Sequence, residues 1–231
     1  MTSSTTRTWR IPIALVVSSL VPMVGGLARL DALASGGPVT QADARFVASP
    51  APIVLHVVAA TIYSLVGAFQ FSAGLRRRWP TWHRRAGRVL VVLGLLSALS
   101  GVWMALAWNV PVAMQGPVLM VVRVFVGVAM TAALVLGVRA ILRRDVPNHE
   151  AWMIRAYALG QGAGAQVLWL GVPSIFAGEL LGLQRDISMT LAWLGNAMLG
   201  EWVIRRRYVP AQPRTIAAAA SSTGSRARLA R

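Results

Sequence analysis

The chain contains no cysteine, which excludes disulfides, thiolate zinc sites, iron–sulfur clusters and covalently attached c-type haem. It contains no lysine either: all 23 basic side chains are arginine, against seven acids. Charged residues make up only 13% of the chain, where an ordinary soluble domain has about 25%. With so few acids and only three histidines, there is no Ser/His/acid set, paired carboxylate or metal-ligand spacing to name as a catalytic centre. The Gly160-Gln161-Gly162-Ala163-Gly164 run is not a nucleotide-binding fingerprint, because no strand precedes it.

What is present is apolar: 56% of the 231 residues. They fall in blocks of about twenty, the length at which a helix rising 1.5 Å per residue crosses a hydrocarbon core about 30 Å thick. The pattern predicts an all-α, polytopic transmembrane bundle of about six spans, near residues 11–30, 52–75, 86–108, 117–142, 151–172 and 187–204. Residues 1–10 form a cytoplasmic N-terminal tail, and residues 208–231, rich in Ala, Ser, Thr and Arg, a disordered basic cytoplasmic tail. Ala32-Leu33-Ala34 resembles a signal-peptidase site, but the first block is longer than the ~7–15 residues of a signal-peptide core, so a retained span is expected.

The net charge of +16 follows the same layout. Arg76, Arg77, Arg78, Arg84, Arg85 and Arg88 crowd one turn; Arg139, Arg143, Arg144 and Arg155 flank another; seven arginines follow from Arg205 onward. Alternate loops hold almost none. This is the positive-inside asymmetry of a multi-pass inner-membrane protein of a bacterial cell with both termini cytoplasmic. The expected partners are the bilayer, anionic headgroups on the cytoplasmic side, and a membrane-protein partner or a second copy, rather than nucleic acid.

Small and polar residues mark faces within the spans. His56, Tyr63, Gly67, Gln70 and Gly74 share one face of the second span; His83, Gly87, Gly94 and Gly101 repeat the idea in the third. Such spacing predicts close helix packing. Polar groups at membrane depth sort into two layers. His56, Arg123 and Gln166 form an outer layer; Gln70, His83, Arg88, His149, Arg155 and Glu201 form an inner one. A lone buried carboxylate is costly, so Glu201 is expected to pair with Arg155 or Arg88.

Taken together, His56 through Gly67 and Gln70-Phe71, His83-Arg84 with Gly87-Arg88, and His149 with Trp152-Met153 and Arg155-Ala156-Tyr157-Ala158 resemble a bacterial predicted-membrane-protein family, domain of unknown function 2306. Trp193, Asn196 and Glu201-Trp202 resemble its final span, so that the likeness covers about residues 52–207. Ala68 and Gln166 depart from the family pattern, which often has Pro and Arg there. The resemblance implies a topology and no activity.

The leading functional expectation is a non-catalytic membrane component: a scaffold, an assembly factor or a lipid-interacting protein. One alternative is a b-type haem protein, since His83 followed by Gly87 resembles the His-x-x-x-Gly of transmembrane b-type cytochromes. In that reading His83 and His149, each placed just before its helix, converge at the inner ends, and His56 needs Met104 or Met120 as partner. No cofactor is otherwise indicated. A second alternative is a small-solute transporter, although no inverted repeat is visible. His83, His149 and Glu201 are the weakest candidate, a metal triad.

Overall fold

The computed structural model describes residues 3–36, 39–40 and 43–208, with side chains from Trp9 onward. Among these residues there are nine α-helices and no strand: α1 (Ser3–Ser35), α2 (Ala44–Ala48), α3 (Pro50–Ala68), α4 (Ala73–Arg78), α5 (Pro80–Ala107), α6 (Pro117–Leu142), α7 (Val146–Gly160), α8 (Gly162–Ala177) and α9 (Gly182–Tyr208). The expected C-terminal tail lies outside the described residues beyond Tyr208, which ends α9.

Four segments are long and apolar enough to cross a membrane: Trp9–Ser35, Pro50–Phe71, Pro80–Ala107 and Pro117–Leu142. Only 11–39% of their apolar windows is buried within the chain. A water-facing surface that greasy would be far beyond the patches soluble monomers expose, whereas lipid solvates it.

Several boundaries differ from the hydropathy blocks, for local chemical reasons. The second block, expected to run to 75, ends as a helix at Ala68 and passes through a 3-10 turn at 69–71. Ser72 then caps a new helix by accepting from Leu75 N at 3.3 Å. The third begins at Pro80 rather than 86, because proline is pre-set for the first helical turn. His83 therefore lies inside α5. His149 likewise lies inside α7, whose start is capped by Asp145 accepting from Asn148 N. The fifth block is two helices, α7 and α8, broken at Gln161 between Gly160 and Gly162. The sixth starts at Gly182, so Arg185 and Asp186 belong to α9 rather than to a loop.

The helices close into a ring: α1 packs on α3, α3 on α5, α5 on α6, α6 on α7, α7 and α8 on α9, and α8 back on α1. The α3–α5 seam shows how the small residues act. His56, Tyr63 and Gln70 sit over Gly101, Gly94 and Gly87, seven residues apart on both helices. A Cβ built on those glycines would stand 3.4 Å from His56 Cε1, 2.8 Å from Tyr63 Cε2 and 3.7 Å from Gln70 Oε1. Tyr157 covers Gly67 from α7 and donates to Ser64 O at 2.6 Å. These stripes are filled by the chain's own side chains, which is backbone-close packing.

Candidate functional site: a cavity in the α2 end of the bundle

The break at Gln161 changes which neighbours the fifth segment meets. Below it α7 packs on α6, α3 and α9; above it α8 leans away to lie between α1 and α9. Glycine weakens helix continuity, and the space at Gly162 is occupied by the Trp193 indole of α9. Gly164 allows α8 to touch the Ser18 carbonyl of α1. The divergence leaves a cavity of about 430 Å³ in the half of the ring away from the arginine-rich turns.

Its floor is a closed hydrogen-bond chain. Gln161 Nε2 donates to Ser19 Oγ at 3.0 Å and to Tyr157 Oη at 2.7 Å, and Ser19 Oγ donates to Leu15 O. Its wall carries Met104, Met130, Leu65 and Val57. Its upper part carries Arg45, Arg123 and Arg185, with His56 and Gln166, and no acid lines it among the described residues. His56 and Arg123 each stand six residues into their helices, counted from Pro50 and Pro117, and so at one depth. His56 Nδ1 lies 2.9 Å from Ser97 O. A carbonyl can only accept, so in the neutral ring Nδ1 carries the proton and Nε2 is left as an acceptor, with Ser100 Oγ 3.1 Å from Nδ1 as well.

Two of these arginines make their direct contacts with uncharged groups. Arg123 donates to the buried Gln115 Oε1, and Gln115 Nε2 reaches Ala105 O. Arg45 stacks on Phe46 at 4.4 Å, as does Arg29 from α1. Burial and the charge of Arg29 push the Arg45 guanidinium below its ordinary value, with Asp43 opposing. Asp43 itself pairs with Arg29 at 2.5 Å and accepts from Thr40 Oγ1. None of Arg45, Arg123 and Arg185 is in an ion pair among the described residues.

Residues 53–204 match the family described as "Predicted membrane protein (DUF2306)". The chain belongs to that family. No curated protein and no solved structure matches it. The DUF2306 segment runs from α3 to near the end of α9, so it holds most of the cavity. Ser19, Pro22, Met23, Gly26, Arg45 and Phe46, which complete the lining, come from α1 and α2 outside that segment.

The inner-layer residues of this DUF2306 protein lie toward the opposite end and do not form one site. Glu201 takes a two-point pair with Arg155, at 2.5 and 3.0 Å. That joins α9 to α7 and leaves Glu201 out of any triad with the histidines. Arg88 turns back to the Arg84 carbonyl at 3.3 Å and is exposed. Gln70 lies against Gly87. His149 Nδ1 lies 2.8 Å from Gly137 O, and His83 stands in the field of His149, Glu150 and Arg76. Glu150 gathers the ends of three helices, with Arg207 and Tyr208 of α9 and Arg76 of α4. Among the described residues no three His, Asp or Glu side chains are grouped to hold a metal. Met104, but not Met120, shares the cavity lining with His56.

Reading the sequence alone misses Arg45, Arg185, Gln115 and Asp186. Asp186 is 1% exposed. Its carboxylate accepts from Gly116 N at 3.0 Å and Leu119 N at 3.1 Å, so a residue of α9 caps α6. The available signal was its position beside an apolar block, one residue after an arginine.

Proposed function

We propose that this protein is a non-catalytic component of a bacterial inner membrane that holds a small, membrane-dissolved ligand between its helices. In this reading the four apolar helices, the α7–α8 pair and α9 make six spans, and the arginine-rich end faces the cytoplasm. The observation that carries the proposal is the cavity of about 430 Å³. Ligand pockets of roughly 300–1,000 Å³, mostly apolar with a few placed polar groups, are the usual binding chambers of helical bundles. The break at Gln161 supports it further, since it turns the fifth segment from α6 and α3 toward α1 and α9 beside the chamber.

Cavity filling tests the proposal. Ala60 lines the chamber, and Ala60→Trp places an indole inside it. Wild-type protein in phosphatidylcholine nanodiscs, incubated with dodecanoate or dodecanol, should release a one-to-one adduct in native mass spectrometry. The filled variant, with an unchanged thermal midpoint, should hold about tenfold less. Equal occupancy in both proteins, or none in either, overturns the reading. A Soret band after haem-supplemented expression would replace it with the redox alternative.

A further inference from the structure

Six buried side-chain nitrogens have no hydrogen-bond partner among the described residues, and four of them belong to residues that line the cavity: Arg45 Nη1, Trp108 Nε1, Gln166 Nε2 and Arg185 Nε. All four are N–H donors. They come from four separate elements, α2, the end of α5, α8 and the first turn of α9. A buried donor left unmet is costly, and more so when it is charged. Four unmet donors on residues around one chamber, all of one polarity, favour an acceptor as what it takes.

Resting on the binding reading above, we propose that the ligand is a single-chain amphiphile with an anionic head, carboxylate or phosphate, held by Arg45, Trp108, Gln166 and Arg185. The charge balance sets the sign. Three guanidinium groups surround the upper chamber; of the two acids near them, Asp186 is already engaged by two backbone N–H groups of α6 and Asp43 by Arg29 and Thr40. A cation would be repelled, and a neutral head would leave the three guanidinium groups without an ion-pair partner in a low dielectric. The wall sets the shape. Met130 and Leu65, deeper in α6 and α3 than Arg123 and His56, line the way toward the Gln161 floor, and an unbranched thioether chain accommodates a flexible tail. Arginine forks match carboxylate and phosphate oxygens equally well, so the head is defined as an oxyanion with either chemistry.

The test uses radiolabelled dodecanoate on the full chain in phosphatidylcholine nanodiscs, with empty nanodiscs subtracted. Dodecanoate and dodecyl phosphate should each bind about tenfold or more tightly than dodecanol. Dodecyltrimethylammonium and inorganic phosphate should not compete. Arg185→Gln and, as a milder variant, Trp108→Phe should weaken the two anions by a larger factor than dodecanol; equal factors for all three overturn the anionic head. Dodecanol binding as tightly as the acid overturns the anionic head yet leaves the cavity reading standing. Full displacement by inorganic phosphate points to a small free anion and overturns the amphiphile. Failure of every probe to bind removes the cavity reading itself. Should Arg185→Gln not fold, Trp108→Phe decides between these outcomes.

Discussion

Asp186 is the residue whose loss should be felt most widely. Its carboxylate supplies an acceptor to two of the free N–H groups at the start of α6, across seventy residues of chain. Replacing it with Ala leaves those donors buried without an acceptor and opens a gap beside Gly116. Asp186→Ala is expected to destabilise the protein by about 1–3 kcal/mol, read as a lowered thermal midpoint in detergent. Two glycines make a matched contrast. A Cβ on Gly94 would stand 2.8 Å from Tyr63 and 2.9 Å from Leu134, whereas Gly171 has nothing within 4 Å. Gly94→Ala should cost about 1–3 kcal/mol through overpacking. Gly171→Ala should be neutral or slightly stabilising, since alanine is the better helix former. Equal midpoints for the two variants would contradict the seam described for α3 and α5.

Among the elements, α8 and α2 shape the cavity. The contact of α8 with α1 is backbone-close at Gly164, and the Ser18 carbonyl cannot rotate aside as a side chain can. Gly164→Ala is therefore expected to push α1 away and to lower stability by about 1–3 kcal/mol, with faster proteolysis of α1 as the readout. The short α2 is tied to α1 through Arg29 and Asp43. The Thr40 hydroxyl, aided by Arg29, holds the Asp43 carboxyl below the usual carboxylate range. A lowered folded-state pKa means the tie is fully present at neutral pH and is lost as pH falls through that value. Amide exchange in residues 43–48 should therefore rise, after correction for intrinsic rates, only below the ordinary carboxylate range. A rise near neutral pH would show that α2 is held by something else.

Across the whole molecule, topology is open to direct mapping because the native chain has no cysteine to remove. Ala113→Cys, in the link between α5 and α6, and Arg143→Cys, at the end of α6, stand at opposite ends of one apolar helix. A membrane-impermeant maleimide added to intact cells should label position 113 and spare position 143 until the membrane is opened. Labelling of both from outside would invert or break the proposed orientation.

Composition and periodicity alone determined the helical class, the apolar segments and the arginine-rich end, because lipid burial obliges each peptide group to bond within its own segment. They also put His56 and Arg123 at one depth, since depth follows from counting along a helix. They gave no access to what depends on distant partners. Asp186 reads as a loop acid until Gly116 and Leu119 are seen beside it, and Glu201 has a choice of arginines until Arg155 is in reach. Only the tertiary structure decided that the fifth segment breaks at Gln161. There, local helix propensity gives way to Trp193, Ser18 and Ser19, residues of other helices whose positions no linear pattern contains.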